Sequence, residues 1–94
     1  MTKKNLIQIK KNSNDEFQII INSELKTTHL VTISNNVHQF LTNGQITKEE
    51  LLHLSFEFLL DRESNTSILS SFELMKINHY FPEYVEELKK RINN

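Results

Sequence analysis

Few residues in this chain are of a type and spacing that could do chemistry. Glu50-Leu51-Leu52-His53 has the E-x-x-H spacing that, when duplicated and joined by further carboxylates, builds di-metal sites between helices. Here it occurs once. Glu49 and Glu57 lie one helical turn to either side of His53, where a carboxylate could tune an imidazole, but Glu50, His53, Glu57 and Asp61 also make an ordinary solvated helix stripe. Solvation is the expected role. His29 stands in a run of strand formers on the same side as Val31 and Ile33, so it is expected to be partly buried and hydrogen-bonded, with a structural role ahead of a binding one. His38 and His79 have no close-spaced partners, and scattered histidines without cysteine do not make a zinc signature. Neither metal nor cofactor is expected. Ser64, Ser67, Ser70 and Ser71 lack a glycine-flanked elbow, and with Gly44 as its single glycine the chain has no phosphate-cradling loop. An enzyme would need a site that none of these motifs describes.

Composition narrows the remaining classes. The 94 residues are enough for one domain, 1–94, and too few for two independent cores. A net charge of −1 and a pI near 6.4 argue against strong sequence-independent binding to nucleic acid, which needs many phosphates neutralised by a basic surface. A local basic patch is the exception to consider. Lys3, Lys4, Lys10 and Lys11 lie near one terminus and Lys89, Lys90 and Arg91 near the other, so a modest phosphate-contacting face would form if the ends met. The absence of cysteine removes disulfides and thiolate chemistry and suits a reducing cytoplasm. No apolar run has the length of a signal peptide or a membrane span, so the expectation is a soluble cytoplasmic protein.

The elements that must position these residues follow from periodicity. Leu6 to Lys10, Glu16 to Asn22 and Thr27 to Ser34 read as three strands separated by turn formers, Ser13-Asn14-Asp15 and Asn22-Ser23-Glu24. A three-stranded antiparallel meander over 1–34 results, with Ile7, Ile9, Phe17, Ile19, Ile21, Val31 and Ile33 on its inward face. The helical part covers 35–94. A short helix through Val37, Phe40 and Leu41 should end at Asn43-Gly44. The central helix, Ile46 to Arg62, opens with Thr47 as N-cap and Glu50 as its capping-box partner. Its Leu and Phe residues cover well over half the circumference, so it must be covered on more than one side. Ile68, Leu69 and Phe72 return at helical spacing, which predicts a further short helix, and Pro82 opens a last helix to about Arg91. The fold class is therefore α+β, a meander packed against a long central helix and shorter C-terminal helices.

The segment Ser55-Phe-Glu-Phe-Leu-Leu-Asp-Arg-Glu63, followed by Ser67-Ile-Leu69, Phe72, Leu74, Ile77 and Tyr80-Phe-Pro-Glu-Tyr84, resembles a family of short bacterial proteins with no established activity. The likeness covers roughly the last two-thirds of the chain. It implies a bacterial source and a shared fold, and brings no function with it. It also directs attention to Arg62, which projects near Leu51, Ser55 and Phe58 on the apolar side of the helix. A guanidinium there needs a carboxylate or several carbonyls, and Glu63, Glu73 and Glu83 are the candidates for a structural ion pair. The sharper alternative makes Arg62 an anion-binding residue.

The aromatic residues fit apolar helix and strand faces and do not interleave with basic ones, as single-stranded nucleic-acid binding would require. Protein interaction is the favoured class, as a regulatory or binding module, with a homodimer or a different protein as partner. Two surfaces are expected to carry it. One is the third strand, if outermost, through Thr28, Leu30 and Thr32; the other is the helix face with Leu52, Phe56 and Leu60, which a small sheet and short helices would leave partly uncovered. A weak nucleic-acid regulator using the terminal basic residues is the alternative, and an enzyme with an unrecognised site the second.

Overall fold

The computed structural model describes residues 6–93. Strands β1 (Ile7–Lys11), β2 (Glu16–Ile21) and β3 (Thr27–Thr32) pair as an antiparallel meander, with Ile9 opposite Ile19 and Ile19 opposite His29. Alternation puts Ile7, Phe17, Ile19, Ile21, His29 and Val31 on the inner face, all buried, and leaves Gln8, Lys10, Thr28 and Thr32 in water. Of the helices α1 (Asn35–Thr42), α2 (Lys48–Arg62), α3 (Lys76–Tyr80) and α4 (Tyr84–Asn93), α2 lies against the sheet, α1 and α4 pack on α2, and α3 packs on α4.

Local chemistry sets the helix boundaries. Ser34 caps α1 by accepting from the Val37 N–H, and α1 ends where Asn43 and Gly44 take left-handed backbone, φ 54° and 74°. Thr47 and Glu50 form a reciprocal capping box at the start of α2, with bonds of 3.0 and 2.9 Å. Lys48, in the next position, donates to the Asn14 carbonyl and the Asp15 carboxylate, both at 2.9 Å, and so fastens the helix to the β1–β2 turn. His38 donates from Nε2 to the Ile46 carbonyl at 2.6 Å and holds the connection between α1 and α2.

The apolar circumference of α2 is divided between two layers. Phe56 faces the sheet, 5.6 Å from the His29 ring and 6.1 Å from Phe72. Phe58, about 200° further round the helix, meets Phe81 and Tyr84 edge-on at 5.9 and 5.3 Å. Between them Ser55 is buried and bonded to the Tyr84 hydroxyl at 2.7 Å.

The sheet has four strands, not three. Asn65–Ser67 forms a single 3-10 turn, and Ser71–Glu73 adds as β4, parallel to β3, in the order β1-β2-β3-β4. The helix expected around Ile68, Leu69 and Phe72 is therefore absent. So few residues carry no decisive period, and a helix of one turn closes few backbone bonds. Pairing instead fills the donors and acceptors of β3: the Leu30 N–H donates to the Ser70 carbonyl at 2.8 Å, and the Leu74 N–H to the Thr32 carbonyl at 3.0 Å.

This fourth strand covers part of both expected interaction surfaces. β3 is not outermost, and Leu30 and Thr32 lie opposite Ser71 and Glu73, so its C-terminal half is not free to pair with another chain. Leu52 and Phe56 are fully buried, Phe56 beneath the inward-turned Phe72, and Leu60 is half-buried against the core. A meander alone would have left that helix face bare.

Candidate functional site

The same rearrangement creates an apolar groove elsewhere. In a parallel ladder alternate residues bond to one neighbour, so the contacts of Ser70 and Leu74 with β3 turn Phe72 the same way and direct the backbone N–H and C=O of Ser71 and Glu73 outward. No other described element pairs with that side of β4. Alternation also turns the Phe72 ring to the inner layer, where it walls a cavity of about 260 Å³ beside the sheet edge.

Three further segments complete the groove. The last turn of α2 supplies Leu59 and Glu63, the stretch before β4 supplies Ser67, Ile68 and Leu69, and α3 with its exit supplies Lys76, Ile77, Tyr80 and Phe81. Leu59, Ile68 and Ile77 form the buried floor, at 3, 8 and 3% exposure, whereas Leu69 and Tyr80 at the rim are 44 and 56% exposed. By volume the groove could hold roughly nine waters, enough for one or two apolar side chains. Exposed large apolar residues that converge on one concavity are the usual mark of a binding surface. The other exposed large apolar residues, Leu25 and Phe40, line no such groove.

Electrostatics gives the groove a polarity. Burial pushes the Glu63 carboxyl above the usual carboxylate value, and no described cation lies within ion-pair distance of it. Lys76 is also in the lining, without an ion pair to Glu63. The set contains an acid, a lysine and one serine, and nothing here activates the Ser67 hydroxyl, which lies 3.4 Å from Ser64 Oγ.

A buried polar cluster holds the segment before β4. His29 Nδ1 donates to the Leu69 carbonyl at 2.7 Å, and its Nε2 accepts from the Thr27 hydroxyl at 2.9 Å. That hydroxyl in turn accepts from Asn65 Nδ2 at 2.8 Å, and the same amide donates to the Leu25 carbonyl at 2.7 Å. His29 is thus a structural clamp, the role expected of it, and it fixes Leu69 at the groove rim. Asn65 was not legible as a site residue, since its partners lie forty residues back in the chain.

The other residues singled out by sequence fall apart from this groove. Glu49, Glu50, His53 and Glu57 line a shallow wet cleft with Ile9, Ile46 and Leu54, and the His53 Nε2 is buried there without a hydrogen-bond partner. No group of three or more histidine, aspartate and glutamate side chains among the described residues is placed to hold a metal ion. Arg62 is not buried among Leu51, Ser55 and Phe58. Its guanidinium lies 3.6 Å over the Phe58 ring with its edge in water, because the helix ends there and a long side chain can lay its stem on apolar surface. Of the three carboxylates considered, it donates to Glu83, Nε to Oε2 at 3.0 Å, while Glu63 and Glu73 are not its partners. The Glu83 carboxyl is held below its usual value by its own backbone amide and then by Arg62.

Among the described residues the basic side chains do not gather into one free patch. Arg91 pairs with Asp61 at 3.3 Å, Lys90 with Glu86 at 4.0 Å, and Lys89 sits 4.7 Å over the Phe40 ring. Lys10 and Lys11 are exposed on β1, at the opposite sheet edge from β4, and Lys3 and Lys4 lie outside the described residues. No helix among the described residues is long and apolar enough to cross a membrane.

Neither family models, curated proteins nor solved structures give a match to this chain. The likeness carried by Ser55–Glu63 and Tyr80–Tyr84 therefore assigns no activity.

Proposed function

We propose that this chain is a small protein-interaction module without catalysis, and that its binding surface is the groove beside β4. One observation carries the reading: Leu69 and Tyr80, two of the most exposed large apolar side chains, rim a concavity whose floor is core and whose flank is an open strand edge. Soluble proteins protect such edges with lysine, proline or a covering element. Lys10 and Lys11 do this on β1, whereas Ser71, Phe72 and Glu73 include no such residue. The nucleic-acid alternative draws less support, because Lys90 and Arg91 are paired with carboxylates and Lys89 lies over an aromatic ring.

Selection of a displayed peptide library on the purified protein tests this. Enriched peptides should bind the wild type and lose binding to Leu69→Asp and Tyr80→Asp, whose exposed positions leave the fold intact by circular dichroism. Amide shift changes on binding should cluster in 67–81. Absence of enriched peptides, or peptides indifferent to both substitutions, would overturn the proposal.

A further inference from the structure

We infer that the partner enters as an extended segment, added to β4 as a fifth strand, and that it carries a basic side chain beside an apolar one. This rests on the groove being the binding surface. Two features of the groove point to that occupant.

The first is backbone chemistry. The outward N–H and C=O of Ser71 and Glu73 have no described partner, and a helix has no free main-chain groups along its length to meet them. An extended segment does, and its alternate side chains would fall on the inner side of the sheet, next to Phe72 and the groove.

The second is charge. Glu63 is a half-buried carboxylate with its pKa raised by burial and no described cation in an ion pair with it, in a lining that includes Leu59, Ile68 and Phe72. A basic side chain on the occupant would neutralise it where water is already partly excluded. A second copy joined β4 to β4 matches less well, since it would bring Glu73 and no basic residue to the joint. Lys76, also in the lining, disfavours a second basic residue near it.

The test uses peptides selected as above, measured by fluorescence anisotropy and amide hydrogen exchange. Enriched sequences should share an apolar residue with a lysine or arginine nearby. Glu63→Gln should weaken them about threefold to fivefold and reduce the salt dependence, as for a partly exposed ion pair. Binding should also slow exchange at the Ser71 and Glu73 amides. Peptides that need Tyr80 yet show no basic preference, no effect of Glu63→Gln, or no protection at Ser71 and Glu73 would overturn the inference and leave the groove as the binding surface. If no peptide depends on Leu69 or Tyr80, the reading beneath it falls as well. A dimer seen by sedimentation and dissolved by Leu69→Asp would name a second copy as the occupant and overturn it too.

Discussion

The buried pair of Ser55 and Tyr84 gives the sharpest quantitative expectation. Both are 0% exposed, and Ser55 Oγ already donates to the Leu51 carbonyl at 2.8 Å, so at the 2.7 Å contact the Tyr84 hydroxyl must be the donor. The two single substitutions are then unequal. Tyr84→Phe deletes a donor and leaves Ser55 still bonded to Leu51, a loss of about 1 kcal/mol. Ser55→Ala instead leaves a phenol O–H buried with no acceptor, which costs about 1–3 kcal/mol. Removing both takes away the stranded group, so the double variant should be about 1 kcal/mol more stable than the sum of the single losses implies. Each kcal/mol is about 4–8 °C in melting temperature for a domain of this size.

Alkaline pH adds an independent reading of the same pair. Burial is the largest influence on the Tyr84 phenol and pushes it well above its usual value of 10.0. Below that value the folded and unfolded phenols both keep their protons, and the contribution to stability is fully present. Above it the unfolded phenol ionises while the folded one does not, so stability falls by about 1.4 kcal/mol per pH unit until the folded phenol also ionises. Urea unfolding followed by circular dichroism, at pH 7 and in steps above pH 10, should show that slope in the wild type and lose it from the difference in Tyr84→Phe. Additive single losses, or a Ser55→Ala protein no less stable than Tyr84→Phe, would refute the assignment of donor and acceptor.

Three further expectations follow from the contacts around the groove. Arg62→Ala should lower the melting temperature by a few degrees through loss of the Phe58 contact and the Glu83 bond, whereas full stability would show that Arg62 does not hold the C-terminal segment to α2. His29→Leu strands the Leu69 carbonyl and the Thr27 hydroxyl, a loss of about 1–3 kcal/mol, and should speed amide exchange at Leu30 as β4 loosens. Glu63→Gln should match the wild type in stability near pH 4, where the carboxyl is largely protonated, and equal or exceed it at pH 7, because a raised carboxyl favours folding only while it holds its proton. Melting curves at the two pH values check the sign, and a Glu63→Gln protein clearly less stable at pH 7 would reveal a cation bound to Glu63.

How far these features were legible in the sequence depended on the range of the interaction behind them. The meander strands, the Thr47–Glu50 capping box and the Asn43-Gly44 stop are written in neighbouring residues, and each is where its local chemistry puts it. The division of α2 between two layers was legible as a circumference too apolar for one partner. What covers it was not. β4 is three residues long and its partner lies forty positions away, so neither alternation nor turn chemistry marks it. From that one strand come the closing of Phe72 over Phe56 and the position of the groove. Arg62 was misplaced for another reason: a helical projection locates the Cβ, while a long side chain at a helix end carries its charge several ångströms further, here across the Phe58 ring.

Strand addition therefore moves the interaction problem and does not end it. Pairing with β4 satisfies the C-terminal half of β3 and lets Phe72 close over Phe56, which stabilises the helical layer. The unpaired edge passes to β4, where only Ser71 and Glu73 present outward main-chain groups. So short an edge resists open-ended pairing between copies, since few bonds form and no long flat template exists. It still offers a segment enough main-chain contact to set its direction, provided side chains supply the affinity, and the groove beside it has the rim residues and the uncompensated Glu63 to do so. An edge too short to aggregate and an apolar groove beside it suit the proposed site, which would select a side-chain pattern.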